Sequence, residues 1–180
     1  MAITRLVKGK VINVDFTGTR LAKGNIIKGA AAAESAALTG TIIAGGVVES
    51  EIVAGGETLI ITLTNDTWIA AGASAIGSEA NTQALIDGLD AATSPTNGWN
   101  NEVRDKEPLS IVVRTSNTVA TLTFTTAAAG YVITADETIT LTIPAAVLVT
   151  RGTDLEADAP FVVTNETSGL SGSLLLLGVG

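Results

Sequence analysis

Three groups of carboxylates stand close enough along the chain to act together: Asp87 with Asp90, Asp136 with Glu137, and the alternating Asp154, Glu156 and Asp158. Two carboxylates held about 5 to 10 Å apart are the machinery of glycoside hydrolysis. Such pairs work in sugar clefts lined by aromatic rings, and this chain has only two Trp, one Tyr and three Phe. Alternating oxygens also suit calcium, which takes about six to eight of them from a tight loop. Neither the Asp154 group nor Asn65-Asp66 carries the glycine and distal glutamate of an EF-hand, so both read as solvated loops.

Nucleophilic catalysis fails for want of a base. Serine and threonine are abundant, but the chain has no His and no Cys. No imidazole can take a proton from a hydroxyl, and no thiolate, disulfide or zinc finger can form. A lysine-activated serine needs a buried lysine. The only lysine after Lys28 is Lys106, within the charged run Glu102-Val103-Arg104-Asp105-Lys106-Glu107, which reads as a solvated face. Gly45-Gly46 and Gly55-Gly56 precede no Lys-Ser/Thr pair, so they are turn glycines rather than a phosphate cradle. The chain is therefore expected to be no enzyme and to bind no cofactor or metal.

The elements point to an all-β fold. Hydrophobic residues make up 46% of the chain and charged residues 16%, against nearer a quarter charged in an ordinary domain. Ala, Val, Ile, Leu and Thr dominate, the vocabulary of half-buried strands. In Thr58 to Thr64, Leu59, Ile61 and Leu63 alternate with Thr58, Ile60, Thr62 and Thr64. Trp68 follows as a core plug. Leu109 to Arg114 and Thr118 to Thr125 read as a hairpin around Thr115-Ser116-Asn117, with Ala120, Leu122 and Phe124 on one face. Tyr131 to Thr134 reads as a short strand. In Thr138 to Ile143, Ile139, Leu141 and Ile143 point inward, and Pro144 ends the pairing. Helical spacing appears once, in Ser78 to Ala92, with Ser78-Glu79 as its cap and Trp99 to Val103 as a further turn. The echo of Ile42-Ile43-Ala44-Gly45-Gly46 in Ile52-Val53-Ala54-Gly55-Gly56 reads as two strand-turn units. Short strands with a turn every ten or so residues indicate a sandwich or barrel.

Charge divides the chain into three zones. Residues 1–40 hold Arg5, Lys8, Lys10, Arg20, Lys23 and Lys28 against Asp15 and Glu34. This basic arm carries Val7, Val11, Ile12, Val14, Phe16, Ile26 and Ile27, too apolar for an idle leader, and is expected to order on an acidic partner. Residues 41–150 form the sandwich. Residues 151–180 form a tail in which Phe161 to Thr164 reads as a strand and Leu174, Leu175, Leu176 and Leu177 stand beside Gly and Ser. Those leucines either complete a sheet of this chain or insert into a neighbour. The net charge of −8 repels phosphate backbones, so no nucleic-acid partner is expected. No run approaches the roughly 20 apolar residues of a membrane span, and Met1 to Arg5 opens no apolar leader.

Glu51 to Trp68 (Glu-Ile-Val-Ala-Gly-Gly-Glu-Thr-Leu-Ile-Ile-Thr-Leu-Thr-Asn-Asp-Thr-Trp) resembles the opening of immunoglobulin-like modules in tailed-phage virion proteins and some bacterial surface proteins. Gln83 to Leu89 resembles the module's short helix, Gly98-Trp99-Asn100 the turn after it, Val113 to Val119 its hairpin, and Ala135 to Pro144 its closing strand. The resemblance covers about 100 residues, and Ig-like units are widely reused. It implies an immunoglobulin-like β-sandwich with one short inserted helix, between an extended N-terminal arm and a C-terminal tail. With a basic arm, the chain resembles a capsid decoration (cement) protein. That implies a place on the capsid surface, synthesis in the host cytoplasm, and the major capsid protein and sister subunits of a homo-oligomer as partners. Arg5, Val7, Lys8, Val11, Val14, Phe16, Arg20, Ile26, Ile27 and Leu174 to Leu177 are the candidate contacts. A tail or fibre component and a bacterial adhesion module are the alternatives.

Overall fold

The computed structural model describes residues 32–44, 46–71, 75–106, 110–125, 130–150 and 152–166, and the backbone of four short strands before them. The chain divides into two units, Met1–Ala33 and Glu34–Gly180. In the first, strands β1 (Arg5–Val7) and β2 (Lys10–Ile12) form one antiparallel ladder, and β3 (Thr19–Ala22) and β4 (Asn25–Lys28) form another. Each is a two-stranded sheet.

The second unit is a sandwich of two sheets. In chain order its elements are β5 (Ser35–Thr39), helix α1 (Thr41–Ala44), β6 (Val47–Val48), helix α2 (Glu49–Ala54), β7 (Thr58–Thr64), helix α3 (Glu79–Asp87), β8 (Leu89–Ala91), a π-helical turn (Asn100–Arg104), β9 (Ser110–Arg114), β10 (Val119–Phe124), β11 (Glu137–Ile143), a 3-10 turn (Ala145–Val147), β12 (Leu155–Glu156) and β13 (Phe161–Thr164). One sheet runs β5-β7-β10-β9, antiparallel throughout. The other runs β12-β11-β13-β6, with β8 also on β11 and the β13–β6 pair parallel. The sheets meet at one margin, where Asp158 N–H donates to the Ala36 carbonyl of β5 (2.8 Å).

Period-two alternation builds the core. Leu59, Ile61 and Leu63 of β7, Ala120, Leu122 and Phe124 of β10, and Ile139, Leu141 and Ile143 of β11 are all buried, as the alternation requires. Trp68 and Trp99 are buried too. The Trp99 ring lies edge-on to Phe124 of one sheet and Phe161 of the other, with centroids 5.6 Å away in each case, and to Tyr131 at 6.2 Å. Such geometry favours the ring quadrupoles beyond the area it buries.

Several expectations change. Ser35–Thr39, expected in the arm, is a strand of the four-stranded sheet, and Leu155–Glu156 and Phe161–Thr164, expected in the tail, pair with β11. The two echoed segments are not strand-turn units but short helices, α1 and α2. At the turn into α1, Gly40 has φ +113 and a Cβ there would overlap the Thr58 carbonyl oxygen. Glu51 closes the first turn of α2 by accepting from Val48 N–H (3.0 Å). Tyr131 to Thr134 joins no ladder, because its backbone donors are used elsewhere: Val132 N–H meets the Asn97 carbonyl (3.0 Å) and Ile133 N–H the Glu49 carboxylate (3.0 Å). The helix expected over Ser78 to Ala92 stops at Asp87, and Ser78 donates no capping side chain. Gly88 lies so close to β11 that a Cβ would overlap the Thr142 carbonyl oxygen, and the chain enters the ladder as β8.

Because Trp99 contacts both sheets and has 0% exposure, Trp99→Ala should cost about 3–5 kcal/mol. Urea unfolding measures this as a lower midpoint at unchanged slope; a loss below about 1 kcal/mol would place the core's centre elsewhere.

Candidate functional site

The sequence-derived contact residues fall into two sets. Arg5, Val7, Val11, Arg20, Ile26 and Ile27 lie on the N-terminal ladders, where Arg5 stands opposite Ile12, Val7 opposite Lys10, Arg20 opposite Ile27 and Leu21 opposite Ile26. Lys8, Val14, Phe16 and Leu174 to Leu177 lie outside the described residues. The ladders thus bring apolar and cationic residue types into register at one end of the chain. A two-stranded ladder is marginal alone in water and leaves unpaired backbone groups along its outer edges.

Charge is sharply partitioned between the units. Residues 1–33 have six cationic side chains and one carboxylate; residues 34–180 have four and seventeen. The second unit is therefore formally −13 and the first +5. Yet among the described residues the outward rows of one sheet of the acidic sandwich hold no charged side chain. Across the four-stranded sheet the register aligns Thr39, Ile60, Thr121 and Val113 in one row, Thr58, Thr123 and Ile111 in the next, and Ala37, Thr62 and Val119 in a third. All ten are neutral, and Ile111 and Val113 are 56% and 53% exposed on the edge strand β9. The outward rows of the other sheet differ, since Asp90 stands opposite Thr140 and Glu156 opposite Thr142. This neutral face was not among the sequence-derived contacts. Its signal was there, in the lack of any charge at the outward positions of four strands.

The carboxylate groups do structural work. Asp90 pairs with Arg104, which also holds Asp105; the hydrogen bond to Asp105 leads the causes that raise the Arg104 pKa above its ordinary value. Asp154 accepts from Ala145 N–H (2.8 Å), and Asp136 from Asn165 N–H (2.9 Å). Glu137 is buried, and its Oε2 accepts from Trp99 N–H (2.9 Å) and from the Tyr131 hydroxyl (3.0 Å). Burial first, then the Glu137 charge and hydrogen bond, hold the Tyr131 hydroxyl far above the ordinary phenol value of about 10. Among the described residues no three acidic side chains converge as a metal cluster, and no helix is long and apolar enough to cross a membrane.

The folded state keeps a Tyr131 proton that the unfolded chain releases above about pH 10, so that contribution is complete below pH 10 and is lost as pH rises through the raised folded value. Stability should fall by about 1.4 kcal/mol per pH unit above pH 10 from this group alone. Tyr131→Phe should remove that slope while costing about 1–3 kcal/mol at neutral pH through the lost donor to Glu137. Denaturation across alkaline pH, read beside phenolate absorbance of this sole tyrosine, checks both; ionisation at the ordinary phenol value would contradict the buried geometry. No protein-family model, curated protein or solved structure matches the chain.

Proposed function

We propose that this chain is a virion structural protein, a decoration protein that clamps the coat-protein shell of a tailed phage, with an Ig-like sandwich as its rigid body. The observation that carries the reading is the division of surface character: a basic unit of edge-exposed ladders joined to an acidic sandwich whose one neutral sheet face is rich in Thr, Val and Ile. An acidic, soluble body resists nonspecific association. A flat neutral face allows close approach without desolvating charge. Short ladders can extend a partner's sheet by β-augmentation.

Size argues for both elements acting together. Four strands spaced about 4.8 Å apart and about five residues long give a face of roughly 300 Å². A standard interface needs about 800 Å² per partner. The face alone is too small for tight docking, whereas joining it to the N-terminal ladders raises the effective concentration of each contact. This bipartite arrangement suits a protein that adds to an assembled shell across neighbouring coat subunits.

Added to shells lacking it, the chain should bind and raise their disruption temperature. Deleting residues 1–33 should abolish binding yet leave one cooperative unfolding transition, because the sandwich core lies in the second unit. Ile111→Lys with Val113→Lys should weaken binding at least about tenfold without loss of fold, as both side chains already face solvent. No change in shell stability on addition, or labelling of the tail instead of the head in microscopy, would sink the decoration reading.

A further inference from the structure

The N-terminal unit contains one motif twice. Thr4 to Ile12 reads Thr-Arg-Leu-Val-Lys-Gly-Lys-Val-Ile, and Thr19 to Ile27 reads Thr-Arg-Leu-Ala-Lys-Gly-Asn-Ile-Ile. The copies differ only at Val7 against Ala22, Lys10 against Asn25 and Val11 against Ile26. The fold repeats with the sequence, since each copy is a two-stranded antiparallel ladder, β1-β2 and β3-β4. The registers match position by position. Arg5 stands opposite Ile12 as Arg20 stands opposite Ile27, and Leu6 opposite Val11 as Leu21 opposite Ile26. In sequence, Lys8-Gly9 and Lys23-Gly24 are the two residues between the strands, a connection length at which glycine is favoured. One supersecondary unit is thus present twice, and such a unit is marginal in water until another surface covers it.

Two units with the same residue types in the same register offer the same charges and the same backbone edges, so they fit the same surface. Residues 1–33 hold six cationic side chains against one carboxylate, which selects an acidic surface. Pairing the ladders with those of a second copy of this chain would instead bring like charges together. Residues 13–18 separate β2 from β3, so the two sites lie no more than about 25 Å apart. We propose that the two ladders are equivalent docking modules, each adding its strands to the same acidic-rimmed sheet edge on one of two adjacent coat subunits. The partner's identity rests on the decoration reading; the doubling rests on the repeat. A symmetric shell presents every site in many copies, and equivalent sites approach one another near a symmetry axis. The second contact is then intramolecular, which raises affinity by about 10² to 10⁴ without a new kind of contact. The chain grips a shell across a subunit boundary, and a dissociated subunit gives it only one hold.

The test is binding of the full chain to shells lacking it and to dissociated coat subunits. Arg5→Glu with Lys8→Glu disables the first ladder, and Arg20→Glu with Lys23→Glu the second. Both pairs lie outside the unit that holds the sandwich core, so unchanged thermal unfolding verifies the fold of each variant. Each should bind shells at least about a hundredfold more weakly than the wild type, with the two losses equal within about threefold. That wild-type advantage should vanish on dissociated subunits. Val7→Ala with Lys10→Asn and Val11→Ile makes residues 4–12 identical to 19–27. This converted chain should bind shells within about threefold of the wild type, as equivalent modules require. Losses that differ by more than about tenfold, a wild-type advantage that persists on dissociated subunits, or a loss of about tenfold in the converted chain would overturn the two-site grip and leave the decoration reading standing. No binding of the wild type to shells would overturn both.

Discussion

Trp99 is the contact on which the sandwich turns. Its ring meets Phe124 from one sheet and Phe161 from the other, so the packing of the two layers is set through one side chain. Its polar atoms are equally committed. The indole N–H donates to the Leu89 carbonyl of β8 (3.1 Å), and the backbone N–H to Glu137 at the start of β11 (2.9 Å). Next to it, Asn100 both accepts from Ala91 N–H (2.9 Å) and donates to its carbonyl (3.0 Å), completing the hydrogen bonding of β8 where that strand ends. A carboxylate inside an apolar core is expensive unless it is paired. Here it is retained because Trp99 and Tyr131 would otherwise hold buried donors without an acceptor.

A core fixed in this way leaves the outer faces free to differ. The five-stranded sheet presents Asp90 and Glu156 among its outward residues, as expected of a solvated wall. The four-stranded sheet presents only neutral, mostly β-branched residues. Threonine is well suited to such a surface: its methyl packs, its hydroxyl stays hydrated, and its stiffness makes ordering it inexpensive. The positive charge is meanwhile concentrated in the first 33 residues. The acidic body and the basic ladders are thus chemically distinct parts, and a reading that assigns them distinct tasks follows from that separation.

Much of the sandwich was legible from period-two alternation, because β7, β10 and β11 each bury one face and expose the other to a different degree. The errors arose where tertiary contacts overrode local pattern. The Ile-Ile-Ala-Gly-Gly echo has strand composition but folds as short helices that seat Ile42 and Ile52 in the core. Tyr131 to Thr134 has strand composition too, yet its donors go to Asn97 and Glu49, partners distant in sequence. Leu89 to Ala91 continues a helical pattern but becomes a strand because Gly88 brings the chain against Thr142. The carboxylates near in sequence were visible as groups, while only the fold reveals that Glu137 is interior and Asp136 at a cavity wall. The neutral face needed the cross-strand register, which no single strand contains.

In the proposed decoration role a rigid acidic sandwich docks on a shell through two contacts of different chemistry, and a cryo-electron microscopy map of the intact particle tests that union most directly. The proposed role predicts density for the sandwich above the coat lattice, with the β5-β7-β10-β9 face toward the shell and strands from residues 1–33 added to the edge of a coat-protein sheet. Density on the tail, or a sandwich seated on the shell through the face bearing Asp90 and Glu156, would contradict it.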